Sequence, residues 1–166
     1  QIDPSNLNVA SIAIGDMAGS QTVTRKVTNV GGLPATYTPS YTGMTGFNVV
    51  VAPTSLTLNP GQTGTFTVTF TRTTAALNAY TGGQLTWTDG SHVVRLPMVV
   101  RPVALAAPVA VYGTGDPISY NVTFGYTGPF TATARGLVPA VTEPGSVNTG
   151  EQVYYEVTIP AGTTYA

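Results

Sequence analysis

The run TFTVTFTR at 65–72 alternates without a fault: Phe66, Val68 and Phe70 are apolar, and Thr65, Thr67, Thr69 and Thr71 carry hydroxyls. A period of two is that of a strand with one dry face and one wet face. β-branched Thr suits the wet face sterically and can hydrogen-bond across to a neighbouring strand. The dry face needs a second apolar sheet to cover it. QTVTRKVTNVGG at 21–32 repeats the pattern, with Thr22, Thr24, Lys26 and Thr28 alternating with Val23, Arg25 and Val27. Arg25 therefore falls in the dry register. A guanidinium buried without a partner costs several kcal/mol, so Arg25 is expected at the sandwich rim, snorkelling, or paired with a carboxylate such as Asp16 or Asp89.

The remaining segments follow the same rule, and none shows the i, i+3, i+4, i+7 apolar spacing of a helix. Strands are expected at 7–16, 35–42, 47–53, 55–58, 83–90 and 92–101. With the two runs above they make eight in the first hundred residues, the density of an immunoglobulin-like sandwich. NPGQ at 59–62 suits a type II turn, and TDGS at 88–91 is a hairpin signal. The expected core is Phe66, Val68, Phe70, Leu85, Trp87, Val94 and Leu96. Pro97 removes a backbone donor, which puts the last of these strands at an edge or gives it a bulge there. Residues 1–102 thus read as one sandwich. Residues 103–115, stiffened by Pro108, read as a linker. Residues 116–166 read as a partial second β module with strands at 118–124, 130–136 and 151–160.

Only 8% of the residues are charged, against roughly 25% in an ordinary soluble domain. A net charge of −1 offers no basic stripe for nucleic acid. No apolar run reaches the roughly 18 residues of a membrane-spanning helix. The absence of cysteine excludes disulfides and thiolate chemistry. The chain begins at Gln1 and ends on Ala166 just after a strand-like run, as a piece of a longer chain would.

The sequence supports no catalytic residue. Its one histidine, His92, shares a short hairpin with Asp89 and Ser91, whereas a triad needs members converging from separate loops. The seven acidic residues are scattered without the spacing of a metal loop, and no cofactor is implied. Trp87 raises a carbohydrate-platform reading, but its register with Leu85 points it inward.

PSNLNVASIAI, QTVTRKVTNVGGLPATYT, SLTLNPGQTGTFTVTFTR and LTWTDGSHVVRLPMVVRP together resemble the fibronectin type III-like domain that follows the catalytic domain in large subtilisin-like serine peptidases of bacteria and plants. The resemblance covers residues 4–102, and TVTRKVTNVG is its most specific piece. Residues 103–166 resemble the start of the next module of bacterial members, a second β-sandwich. The resemblance implies a non-catalytic, extracellular accessory fragment of a bacterial peptidase. Its role would be to stabilise or position the upstream peptidase domain, or to hold substrate or a cell surface. Arg25, a matched position, would then be an interface residue toward that domain. The alternative is a self-assembling β module, in which an incomplete sandwich pairs with another copy through the 151–160 strand, presenting Tyr155 and Val157. A carbohydrate-binding module is the third reading.

Overall fold

The computed structural model describes residues 3–112, 117–133, 144–156 and 158. Two compact units divide the chain, residues 1–128 and 129–166. Among the described residues the first holds ten strands: β1 (Ile12–Met17), β2 (Ser20–Thr28), β3 (Ala35–Gly43), β4 (Phe47–Ala52), β5 (Leu56–Leu58), β6 (Thr63–Arg72), β7 (Thr81–Thr88), β8 (Val93–Pro102), β9 (Leu105–Ala106) and β10 (Thr123–Phe124). The alternating run at 65–72 is the central strand of a three-stranded sheet, β2-β6-β4. The other large sheet has the order β1-β8-β7-β3-β5.

The two sheets close on the faces that the alternation assigns. Phe66, Val68 and Phe70 from β6 are at most 1% exposed, and Leu85, Trp87, Leu96, Met98 and Val100 from β7 and β8 at most 4%. Phe66 and Trp87 meet with ring centroids 5.0 Å apart at 57°, a tilted contact favoured by the ring quadrupoles. On the wet face, threonine hydroxyls pair across the ladder: Thr22 with Thr69 at 2.8 Å and Thr28 with Thr63 at 2.7 Å. Each such pair contributes roughly 0.2–1 kcal/mol. Hydroxyl pairs thus stand where charged pairs stand in most soluble domains.

Both turn signals are realised. Gln62 donates its backbone N–H to the Asn59 carbonyl at 3.0 Å, with Gly61 at φ 73° as a type II turn requires. Asp89–His92 closes the β7–β8 hairpin, whose flanking pair is Thr88 with Val93.

Three expectations need correction. Val94 shares its register with Leu96 but is 45% exposed, because it lies opposite Trp87 near the hairpin end of the sheet, where the facing sheet no longer covers it. Secondly, β8 is an interior strand between β1 and β7. Pro97 is accommodated because the parallel pairing with β1 begins one residue later, at Ile12 with Met98. Finally, the strand expected over 7–16 starts only at Ile12. The residues before it do different work, described below.

The first unit also continues past residue 102. Val103 donates to the Met17 carbonyl at 2.9 Å, and β9 pairs antiparallel with β10. Only Thr123–Phe124 of the strand expected over 118–124 joins a ladder. In the second unit the described residues carry no strand, although 130–133 and 151–156 fall in segments read as strands. Alternation makes a segment fit for a sheet, but a strand exists only where a neighbour accepts its hydrogen bonds.

Phe70→Ala should lower stability by about 3–5 kcal/mol, since it empties a fully covered site between the sheets. Thr69→Ala and Val94→Ala should each cost under about 1 kcal/mol. Urea denaturation of the three variants checks this, and a large loss at Val94 would show that the open end of the sandwich is closed in solution.

Candidate interaction site

Arg25 is 3% exposed and pairs with no carboxylate among the described residues. Asp16 binds Arg101 instead, and Asp89 binds His92. The guanidinium is held by main-chain oxygens: Nη1 donates to the carbonyls of Ser5 and Thr24, and Nη2 to that of Ser11, each at 2.8 Å. Burial depresses its pKa from the ordinary arginine value, yet arginine stays charged because it is so strongly basic to begin with. Its Nε has no hydrogen-bond partner among the described residues. A planar fork of donors suits this job, since one side chain ties two points of the N-terminal segment to one point on β2.

That segment, residues 3–11, runs alongside β2 in the same direction. β2 is an edge strand, and its outward N–H groups need acceptors. The Thr24 N–H donates to Asn6 Oδ1 at 2.8 Å, and the Lys26 N–H to Asn8 Oδ1 at 2.7 Å. Gln21 Nε2 donates to Asp3 Oδ2 and Ser5 Oγ, both at 2.9 Å. Asparagine side chains therefore take the place of a neighbouring strand. Sequence reasoning missed Asn6 and Asn8. Their signal was the spacing of two, the same as that of the outward amides on a strand.

Asn29, in the same family run as Arg25, holds the loop that follows β2. It is 6% exposed, donates from Nδ2 to the carbonyls of Leu33 and Leu58, and accepts from the Gly31 N–H. Val30 and Leu33 in this loop are 94% and 77% exposed. Beside them opens a cleft of about 900 Å³ at the uncovered end of the sandwich, lined among others by Leu58, Trp87, Asp89 and Val94. Trp87 lines it but is only 4% exposed, so its ring is not presented as a sugar platform, and Nε1 is buried without a hydrogen-bond partner among the described residues.

The DGSH stretch is turn chemistry. Asp89 Oδ1 accepts from the N–H groups of Ser91 and His92, and His92 Nδ1 donates to Oδ2 at 2.9 Å. The His92 side chain and main chain together hold the Asp89 carboxyl well below the usual carboxylate range. Burial, with the Asp89 carboxylate next, raises the Tyr37 phenol.

Of the remaining expected interface residues, Tyr155 lies in the second unit and is 51% exposed, while Val157 lies outside the described residues. Arg25 and Tyr155 belong to different units.

Comparison with known proteins gives this arrangement its relatives. The fibronectin type-III domain family matches residues 6–100, more than half of the chain. The chain belongs to the fibronectin type-III family. The curated relatives of this fibronectin type-III domain include the subtilisin-like proteases SBT2.5 and SBT3.1 of Arabidopsis thaliana, 42% and 43% identical over 97 and 98 residues. A subtilisin-like protease of Glycine max is 40% identical over 100 residues. Each match covers 58% of this chain but only 12–13% of the relative, so the domain corresponds to about an eighth of those proteins. Among solved structures, a FixG-related protein from Vibrio parahaemolyticus overlaps 50% of this chain and 78% of its own, with a TM-score of 0.43 at 19% identity. Among the described residues no helix is long and apolar enough to cross a membrane.

Arg25→Ala should cost about 3 kcal/mol, by leaving three carbonyls short of a charged donor. Arg25→Lys should recover only part of it, because a point charge cannot reproduce the fork. Chemical denaturation measures both.

Asp89 gives a pH signature. Its folded-state pKa is depressed, so its contribution is complete above the unfolded carboxylate value near ~4 and is lost as pH falls below it toward the folded value. Asp89→Asn keeps the Oδ1 acceptor and removes the charge. The stability gap between wild type and Asp89→Asn should be full at neutral pH and shrink on acidification. A gap that widens in acid would contradict the assignment.

Proposed function

We propose that residues 6–100 form a non-catalytic accessory domain of an extracellular subtilisin-like serine peptidase of bacterial origin, which stabilises or positions the upstream peptidase domain. The match of more than half of the chain to subtilisin-like proteases at about 40% identity carries this reading. The geometry supplies a physical means. A domain that positions its neighbour must hold the entering chain firmly, and Arg25 with Asn6 and Asn8 fastens residues 3–11 along β2. The contact of Arg25 with the upstream domain is then indirect, through the segment it holds.

A second reading is favoured by Val153, Tyr154 and Tyr155, which are 48%, 85% and 51% exposed. Neighbouring apolar side chains left open in this way suit pairing with another copy.

The accessory reading predicts no hydrolysis of casein by the purified chain. Inhibitor-sensitive turnover that survives repurification would overturn it. In the parent peptidase, deletion of residues 6–100 should lower the thermal midpoint of the peptidase domain, whereas an unchanged midpoint with unchanged activity would argue against a stabilising or positioning role.

A further inference from the structure

We infer that the cleft beside Trp87 is a binding site for an uncharged polypeptide segment, which inserts one apolar side chain and sets a carbonyl oxygen on the indole Nε1. The inference does not rest on the peptidase reading. The cleft is walled by two loops that the fold holds in place. On one side the buried Asn29 ties the loop after β2 through its bonds to Leu33, Leu58 and Gly31. On the other, Asp89 ties the β7–β8 hairpin through the N–H groups of Ser91 and His92 and through His92 Nδ1. The volume of about 900 Å³ lies within the range of preformed ligand sites, which combine apolar walls with a few polar groups.

The chemistry of the walls selects the occupant. Leu33 and Val94, both in the lining, are 77% and 45% exposed, so apolar surface faces water where an entering apolar group would cover it. Asp89 and His92 are the only acid and base in the lining. They bond to each other, and both carboxylate oxygens already accept hydrogen bonds, so an ion would find no unengaged partner there. One donor is left over. Trp87 Nε1 is buried and unpaired among the described residues, whereas nearly every buried polar group in a protein is bonded. It calls for one acceptor oxygen. At the mouth, Gly32 leaves open space where a side chain would stand, which lets another main chain come close. An apolar side chain next to an amide carbonyl, the unit of a polypeptide, meets all three conditions. The cleft also lies clear of the chain's own connections: the entering segment binds β2 at Gln21 and β8 ends at Pro102, whereas the cleft takes the Asn29 end of β2 and the Val93 end of β8.

The chain has a single tryptophan, so the full chain gives one indole N–H signal in its NMR spectrum, and that signal reports on the site directly. The probe is N-acetyl-leucinamide. N-acetylglycinamide supplies only the amide, and benzene only the apolar group. N-acetyl-leucinamide should move the indole signal downfield and saturably, together with the Leu33 and Val94 amides, and bind at least about tenfold more tightly than N-acetylglycinamide. Benzene should shift Leu33 and Val94 without moving the indole signal downfield. Val94→Asp and Leu33→Asp should each weaken N-acetyl-leucinamide by at least about tenfold, because each sets a charge at an apolar mouth, while the amide signals of Phe66, Val68 and Phe70 stay in place. If Val94→Asp does not fold, Leu33→Asp, in an exposed loop, decides. No saturable shift, or equal binding of the two amides, overturns the site. An indole signal unmoved by N-acetyl-leucinamide, with Leu33 and Val94 shifted as by benzene, overturns the polypeptide as occupant. Undiminished binding to the folded variants overturns the cleft as its location.

Discussion

The contact between the dry face of β6 and that of β7 and β8 organises the whole domain. Phe66, Val68 and Phe70 project from the middle strand of the smaller sheet, so they reach the centre of the larger one, where Leu85, Trp87 and Leu96 receive them. The apolar faces are short and the sheets narrow. Burial is consequently complete in the middle and fails at the hairpin end, where Trp87 is covered and its cross-strand partner Val94 is not. The cleft beside Trp87 is a consequence of where the facing sheet stops.

Once the sheets have closed, the unsolved problem is the main chain at the edges. β1 adds in parallel to β8 and covers one side of the larger sheet. β2 is covered by asparagine and arginine side chains instead. That choice explains why a cation can sit in a dry register. Arg25 neutralises no acid; it satisfies carbonyls that the edge and the adjoining segment would otherwise leave short, and those carbonyls offset part of its desolvation. Arg25 and the N-terminal segment are therefore one structural device, and neither is explained alone.

This division matches what the sequence made legible. The eight strands of the sandwich, the NPGQ turn, six of the seven expected core residues and the dry register of Arg25 follow from alternation and turn chemistry, which are local; that Arg25 is buried, and not at the rim, snorkelling or paired with an acid, does not. The partners of Arg25 were not legible, because main-chain carbonyls carry no signature in a sequence and the acids that might have served, Asp16 and Asp89, are taken by Arg101 and His92. The exposure of Val94 depends on the length of the opposite sheet, which register cannot report. Residues 7–11 were expected to be strand, but the strand starts at Ile12, and the spacing of Asn6 and Asn8 against Thr24 and Lys26 is what distinguishes the segment before it.

Low charge and abundant threonine belong to the same physical account. With 8% charged residues, an edge strand cannot be guarded mainly by lysine and glutamate, the common means of preventing sheets from joining. Protection must come from occupying the edge itself, and residues 3–11 do this with side-chain acceptors set at strand spacing. Withdrawing them would also strip Arg25 of the Ser5 and Ser11 carbonyls that hold its buried guanidinium. The closure of the β2 edge is accordingly part of the stability of this domain, because residues 3–11 are tied to it through the buried guanidinium of Arg25.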